Sequence, residues 1–165
     1  MPKDDVVKFL GLKGTDSLLD LGAGIGYFSI PASKHAGIVV AIDMEPKMLE
    51  VLADRIAEDR IANIDLARGD IGALPVADGS FDHIFAAFVY HEVPSAAVFV
   101  RECARTLRLG GHLTVVEFQK RETPIGPPVE ERKTPRDVLR ATAKKFKETS
   151  RIETDVYYAL KLRKR

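Results

Sequence analysis

Three glycines follow an aspartate near the start of the chain, in a pattern suited to holding a ligand against the main chain. An apolar run within Leu18–Ser29 ends at Asp20, and glycines then occupy alternate positions at Gly22, Gly24 and Gly26. Each glycine lacks a Cβ, so a ligand can approach the backbone closely. A helix that begins after Gly26 would point its free N–H groups into the same gap. The stretch predicts a strand, a binding turn and a helix; the alternative is a flexible turn that binds nothing.

The spacing of these glycines separates two classes of ligand. A dinucleotide-binding loop has the spacing G-x-G-x-x-G, whereas this loop has the spacing G-x-G-x-G and carries Tyr27 where the third glycine would stand. Asp20 precedes the first glycine by two residues. Its carboxylate would repel a pyrophosphate and attract the ammonium and sulfonium groups of S-adenosylmethionine. The loop therefore favours S-adenosylmethionine over a dinucleotide.

A second acid ends the next apolar run. Residues Ile38–Ile42 are continuously apolar, as in a strand buried on both faces, and Asp43 follows them. The two oxygens of this carboxylate can accept hydrogen bonds from both hydroxyls of a ribose, although the same acid could cap the following helix. Met44 comes next, and its thioether would lie against an adenine or pack in the core.

A third acid follows a shorter predicted strand, Ile64–Ala67. The carboxyl ends of parallel strands meet at one edge of a sheet, so this acid, Asp70, is expected at the same edge as Asp43. Asp70 would accept a hydrogen bond from the amino group of adenine, and a backbone N–H near Ile71 would meet a ring nitrogen. The three acids together predict a site for the adenosyl cofactor.

The candidates for acid–base chemistry follow the fourth predicted strand, Phe81–Phe88. His91 is the preferred general base because the ordinary pKa of histidine lies nearest neutrality, and Tyr90 beside it is the second catalytic candidate. The alternative is that His91 opens the next helix as a packing or capping residue. The remaining histidines show no pairing at metal-ligand spacing, so no metal site is predicted.

The elements that must hold these residues alternate between strand and helix, which is the pattern of a mostly parallel sheet. The helix after the glycine loop is expected to stop near Gly37. A turn at Gly110-Gly111 is expected before a fifth strand, His112–Phe118. Further helices are predicted over Pro2–Leu12, from Pro46 to about Asn63, and over Ser95–Leu107.

The tail predicts a different arrangement. Thr134, Pro135 and Asp137 form a capping pattern that should start a helix. Two strands, Glu148–Thr154 and Asp155–Leu162, follow with almost no loop between them, which predicts an antiparallel pair. From Lys120 onward the chain has 14 lysines and arginines against 7 aspartates and glutamates. This excess forms either a solvated basic face or a surface that meets an anionic partner.

Length and composition limit the class of protein. A chain of 165 residues suits a single domain with a substantial core. The net charge of +1 argues against a protein built to coat nucleic acid. The single cysteine, Cys103, excludes an internal disulfide and a cysteine-based metal cluster. Neither a signal segment nor a membrane-spanning run is found, so a cytoplasmic location is expected. The oligomeric state is not set by these features.

The order and spacing of these motifs resemble the class I S-adenosylmethionine-dependent methyltransferases, most closely the branch with the ubiquinone and menaquinone biosynthesis enzymes and many small-molecule methyltransferases. The resemblance reaches from Leu18 to Phe118, and the segment from Gly126 to Arg140 also resembles the end of that branch. The matching stretches are Leu18–Ser29, Ile42-Asp43, Gly69-Asp70 through Leu74-Pro75 to Phe81-Asp82, and Leu107–Gly111.

The resemblance implies a single Rossmann-like α/β domain over residues 1–165, with a cofactor-binding core in 1–119 and a C-terminal helix and strand pair in 120–165. It implies a seven-stranded, mostly parallel sheet with an antiparallel last strand and helices on both faces. By the same resemblance the glycine loop with Asp20 would hold the methionine end of the cofactor, Asp43 the ribose, and Asp70 with Ile71 the adenine. The chain departs from the family in having little material for a substrate lid.

Three hypotheses follow for the function. The first is methyl transfer from S-adenosylmethionine to a small molecule by in-line displacement. The second is methyl transfer to a macromolecule docked on the basic C-terminal face, which an open site would suit. The third is a non-catalytic module that binds an adenosyl cofactor, which the presence of Asp20, Asp43 and Asp70 argues against.

Overall fold

A computed structural model describes residues 2–165, which form one sheet with helices on both of its faces. The strands are β1 (Ser17–Leu21), β2 (Ile38–Asp43), β3 (Ile64–Arg68), β4 (Phe81–Ala87), β5 (Leu107–Phe118), β6 (Phe146–Glu153) and β7 (Tyr157–Lys164). The helices are α1 (Lys3–Leu10), α2 (Ser29–Ser33), α3 (Pro46–Glu58), α4 (Ala96–Thr106) and α5 (Pro135–Thr142), with a 3₁₀ turn at Tyr90–Glu92.

The strand order is β3-β2-β1-β4-β5-β7-β6. Strands β1 to β5 pair in parallel, and β7 runs antiparallel to both of its neighbours, β5 and β6. The predicted fold class, with its antiparallel last strand, is confirmed. Because the order reverses at β1, the connections that leave β1 and β4 diverge to opposite faces. A crevice opens between them at the carboxyl ends of the strands, where ligands bind in such sheets.

The core lies in two layers. Helices α1, α2 and α3 cover one face of the sheet, where Phe28 and Phe85 make an edge-to-face contact. Helices α4 and α5 cover the other face, where Phe99 packs on Tyr90. All five residues of β1 are buried, including the polar Ser17 and Asp20. This central strand is thereby fixed from both sides, and so is the start of the glycine loop that follows it.

Three predicted boundaries are wrong by four residues or more: α3 ends at Glu58 rather than near Asn63, and the other two errors involve glycines. Helix α2 ends at Ser33 rather than near Gly37, where an added Cβ would lie 2.9 Å from the carbonyl oxygen of Gly14. Strand β5 begins at Leu107 rather than after Gly110-Gly111. An added Cβ at Gly111 would lie 2.8 Å from the carbonyl oxygen of Asp82. These glycines permit close backbone approach between neighbouring segments instead of ending an element.

The connection from β5 to α5 is organised by a buried arginine. Arg132 is 3% exposed, and its guanidinium donates to the carbonyl oxygens of Pro127, Gln119, Arg121 and Ile125. It also donates to the hydroxyl of Thr123 and lies over the ring of Phe118 at 5.4 Å. Among the described residues no carboxylate pairs with it. The guanidinium of Arg132 therefore provides hydrogen bonds to loop carbonyl groups that have no partner in a helix or a strand.

Replacing this arginine should loosen the loop. We expect Arg132→Met to lower the free energy of unfolding by about 2–4 kcal/mol, because several buried carbonyl groups lose their donor. Urea denaturation measures the change. The matched control is Arg121→Met in the same loop, whose half-exposed guanidinium pairs with the exposed Asp155 carboxylate and should cost less than about 1 kcal/mol. Equal losses for the two variants would contradict the role given to Arg132.

Candidate functional site

A cavity of about 460 Å³ opens at the carboxyl ends of β1 to β4. Its wall contains four carboxylate residues, a group of apolar side chains and two glycines, and no lysine or arginine is found among the described lining residues. The lining consists of Gly22, Ile42, Asp43, Met44, Glu45, Gly69, Asp70, Ile71, Phe88, Val89, Glu92, Val93 and Pro94. Such a wall suits a ligand that carries positive charge.

The three glycines of the loop have different surroundings, although all three have positive φ. Gly22, at φ +69°, lines the cavity, and its missing Cβ leaves room for Val89. Gly24, at φ +54°, would direct an added Cβ into open space. Gly26, at φ +80°, would place its Cβ 2.2 Å from Leu52 of α3, so this glycine permits helix packing. Of these three glycines, only Gly22 lines the cavity, and only Gly24 would direct an added Cβ into open space.

Asp43 joins the glycine loop to the start of α3. One carboxylate oxygen accepts the Gly24 N–H at 2.8 Å, and the other accepts the Glu45 N–H at 2.9 Å. The N-cap residue of α3 is Glu45, whose side chain accepts a hydrogen bond from the backbone N–H of Lys47. The Asp43 carboxylate lines the cavity, and each oxygen keeps a further lone pair for a ligand hydroxyl.

Asp20 lies behind the loop and not in the cavity wall. It is 3% exposed and accepts a hydrogen bond from the hydroxyl of Ser29, the first residue of α2. Burial raises the pKa of Asp20 to about 7, the Ser29 hydrogen bond opposes that rise, and the nearby Asp43 carboxylate adds to it. The predicted effect of Asp20 on a cationic ligand would therefore act through the loop and through charge rather than by contact.

The far end of the cavity has the groups expected to meet an adenine. Asp70 and Ile71 both line it, and Asp70 accepts the Gly72 N–H at 2.7 Å. Within residues 2–165 the N–H of Ile71 has no acceptor, so it is available to a ring nitrogen. Met44 is 66% exposed and lines the same cavity, so it does not pack in the core.

Two residues of α4 anchor the segment that carries Asp70. The buried carboxylate of Glu102 accepts the Leu74 N–H at 3.2 Å and pairs with Arg105 at 2.8 Å. Arg105 in turn donates to the carbonyl oxygens of Leu74 at 3.1 Å and Val76 at 2.8 Å. The sequence analysis missed this pair. The i to i+3 spacing of opposite charges on α4 is a signal for the pair itself but not for its partners.

The catalytic candidates lie beside the cavity rather than in its wall. Tyr90 is buried against Phe99, and burial raises its pKa. The side chain of His91 is mostly buried, and its Nδ1 lies 2.9 Å from the Glu117 carboxylate. The cap of α4 is Ser95, so His91 does not cap that helix. Glu117, on the neighbouring strand β5, was missed because nothing in the sequence links it to a residue 26 positions earlier.

The cavity fits the adenosyl cofactor that the sequence predicts. Gly22 lines one end, Asp43 offers two acceptor oxygens, and Asp70 with the free N–H of Ile71 offers an acceptor and a donor to the edge of an adenine. The four carboxylates of the lining suit a ligand with ammonium and sulfonium charges. Within the described residues no three histidine, cysteine or acidic side chains converge to hold a metal ion.

Comparison with known proteins decides the family. The family described as "methyltransferase domain" matches residues 19–115, which run from β1 to the middle of β5. This chain belongs to that methyltransferase domain family. The predicted family and its cofactor, S-adenosylmethionine, are confirmed, and the matched residues include the glycine loop, Asp43 and Asp70.

Individual relatives agree with this assignment. Demethylmenaquinone methyltransferase of Tropheryma whipplei is 32% identical over 120 residues, which cover 73% of this chain and 49% of that protein. The chain therefore spans about half the length of the curated relatives it matches. A SAM-dependent methyltransferase from Aquifex aeolicus has the same fold, with a TM-score of 0.91, 24% identity, and coverage of 98% of this chain and 89% of that one.

The same fold also supports other chemistry. The cyclase SpnF superimposes with a TM-score of 0.84 at 20% identity, over 98% of this chain and 81% of that one. The fold alone therefore does not determine the activity, which depends on the residues of the site.

No helix within residues 2–165 is both long and apolar enough to cross a bilayer.

The burial of Asp20 predicts an unusual dependence of stability on pH. The folded state retains the proton up to about pH 7, whereas an unfolded aspartate loses it near pH 4. The contribution of Asp20 to stability should therefore fall as pH rises from 4 to 7. Relative to wild type, Asp20→Asn should gain about 2–4 kcal/mol of unfolding free energy across this window.

Urea denaturation at a series of pH values tests this prediction. The control is Asp65→Asn, which changes an exposed aspartate of β3 and should leave the pH dependence of wild type unaltered. Parallel pH profiles for wild type and Asp20→Asn would contradict the burial argument.

Proposed function

We propose that the protein transfers a methyl group from S-adenosylmethionine to a small molecule. The observation that carries this proposal is the convergence of the glycine loop, Asp43 and Asp70 on one cavity without a basic residue among its described lining. When bound, S-adenosylmethionine supplies a methyl group already activated on a sulfonium. The chain's own contribution is then alignment and a dry site, which can supply about 7–11 kcal/mol.

The division of work among the residues follows their positions. Gly22, Gly24 and the buried Asp20 support the methionine end, Asp43 the ribose, and Asp70 with Ile71 the adenine. Phe88, Val89 and Val93 wall the cavity next to the 3₁₀ turn and would exclude water from the acceptor. Phe88 has φ +57°, a strained value for a non-glycine residue, and its ring centroid lies 4.5 Å from that of Phe118, with the two rings tilted by 32°.

His91 is proposed as the group that accepts a proton from the acceptor where the acceptor must lose one. Tyr90, the second candidate in the sequence, is buried against Phe99 and supports the turn by packing.

A small acceptor is favoured over a macromolecule by two observations. The curated relatives are named for a quinone precursor, demethylmenaquinone, which is not a macromolecule. On the basic C-terminal side, Arg136, Arg140 and Arg151 line a shallow hollow. Two of these arginines are already paired: Arg140 with Asp137, and Arg151 with Glu148 and Glu153. Their charge is largely compensated, which weakens the attraction for a polyanion.

Transfer of label is the direct test. Purified protein is incubated with methyl-labelled S-adenosylmethionine and the small-metabolite fraction of a cell extract, with the protein and RNA fractions in parallel. Label in the small-metabolite fraction alone supports the proposal. Label in the protein or RNA fraction would instead indicate a macromolecular acceptor. No label in any fraction would overturn the proposal.

Removal of the ribose acceptor should weaken cofactor binding without unfolding the protein. We expect Asp43→Ala to raise the Kd for S-adenosylhomocysteine about 10- to 100-fold, because up to two hydrogen bonds to a charged group are lost. Calorimetric titration measures Kd, and thermal unfolding checks the fold. The control is Asp54→Ala, on the exposed side of α3. Unchanged affinity in Asp43→Ala would remove Asp43 from the site.

A further inference from the structure

Glu117 is a fully buried carboxylate near the end of β5, with a side-chain exposure of 0%. Burial of a carboxylate is costly unless donors surround it. Both of its oxygens find their donors on one residue of the neighbouring turn. The backbone N–H of His91 lies 3.1 Å from Oε1, and the ring Nδ1 lies 2.9 Å from Oε2. Within residues 2–165 no lysine or arginine pairs with Glu117.

The contact with Glu117 determines which nitrogen of the His91 ring carries the hydrogen. A carboxylate only accepts hydrogen bonds, so Nδ1 must carry the hydrogen. In neutral His91 the lone pair then lies on Nε2, and the backbone bond fixes the orientation of the ring as well. Nε2 lies 3.7 Å from a carboxylate oxygen of Glu92, a residue of the cavity wall. Nε2 therefore faces the part of the turn where Glu92 joins the cavity wall, although His91 itself does not line the cavity.

We propose that Glu117 is a positioning residue that holds His91 so that Nε2 receives the proton lost by the methyl acceptor. This inference rests on the proposed function and deepens it. The acceptor is then an atom that carries a hydrogen before the reaction and loses it as a proton on methylation, such as a hydroxyl oxygen or the nitrogen of a neutral amine that bears a hydrogen. A thioether or a tertiary amine, which lose no proton, would not need this pair.

Charge and atoms balance in this step. The acceptor atom forms a bond to the methyl carbon as the carbon–sulfur bond breaks, and that electron pair remains on sulfur. The acceptor's proton moves to Nε2. The positive charge lost at sulfur is then carried by the imidazolium of His91, next to the Glu117 carboxylate. His91 becomes neutral again when this proton passes to water.

The surroundings of His91 give the sign of the pH dependence. The hydrogen bond to Glu117 raises the pKa of His91, burial opposes that rise, and the charges of Glu117, Glu92 and Glu131 add to it. These groups come from β5, from the turn itself and from the β5–α5 connection. Because the neutral ring is the base, the rate should rise with pH through a midpoint above 6.5, the ordinary value for histidine.

The variant Glu117→Gln keeps the shape and removes the charge. We expect the titration of His91, followed by the NMR signals of its ring, to move down by about 1–2 pH units. The hydrogen on Nδ1 should no longer be fixed, which ¹⁵N ring shifts report. His91→Gln assigns the signals. The control is Glu92→Gln, whose side chain is 70% exposed and which should shift the titration by less than half as much.

The second measurement is the initial rate of label transfer to the small-metabolite fraction as a function of pH. In Glu117→Gln the midpoint should fall by the same amount as the NMR titration, and the plateau rate should fall roughly 10- to 100-fold. A calorimetric titration with S-adenosylhomocysteine should give an affinity within about twofold of wild type, because Glu117 does not line the cofactor cavity.

The outcomes separate this inference from the proposed function. A shifted His91 titration with an unshifted rate profile would show a purely structural pair and overturn the inference. An unshifted His91 titration would overturn it as well. If wild type transfers no label at any pH, the proposed function fails and the inference fails with it, whereas the NMR titration still reports the contact because it does not depend on turnover.

Discussion

The structure depends on gathering carboxylates at one edge of a parallel sheet without lysine or arginine in the described wall. Like charges at such an edge repel one another, and each must find donors elsewhere. Asp43 finds them in the N–H groups of Glu45 and of Gly24 in the glycine loop, and Asp70 finds one in the N–H of Gly72. Asp20 finds one in the hydroxyl of Ser29. Backbone donors satisfy the carboxylates but leave the cavity negative, which is the condition a sulfonium cofactor requires.

This arrangement links stability to function. A carboxylate as deeply buried as Asp20 destabilises the fold near neutral pH, since burial raises its pKa to about 7. An amide at this position would remove that cost, and with it the negative charge that Asp20 carries behind the glycine loop above about pH 7. The adenine end is supported differently, because the Glu102–Arg105 pair of α4 holds the Asp70 segment through Leu74 and Val76. The two ends of the site therefore rest on opposite faces of the sheet.

Much of the candidate site could be predicted from the sequence because its geometry follows from local rules. Each acid ends or follows a strand, and parallel strands bring their carboxyl ends to one edge, so Asp43 and Asp70 had to converge. The start of α5 was predicted as well, since its capping box depends only on Thr134 and Asp137. In contrast, Glu117 and Glu102 act across 26 and 28 positions of sequence, and no local pattern shows such partners. The boundaries of α2 and β5 were predicted wrongly at the glycines 37, 110 and 111. Glycine is typical both of chain reversals and of places where two backbone segments come close together, and the sequence does not distinguish the two.

The central claim is that the cavity at the carboxyl ends of β1 to β4 holds S-adenosylmethionine with its ribose on Asp43 and its adenine on Asp70 and Ile71. A crystal structure of the protein with S-adenosylhomocysteine tests it most directly. The account predicts both ribose hydroxyls within hydrogen-bond distance of the Asp43 carboxylate and the adenine edge against Asp70 and the Ile71 N–H. A ligand bound elsewhere on the chain, or bound here with the adenine away from Asp70, would contradict it.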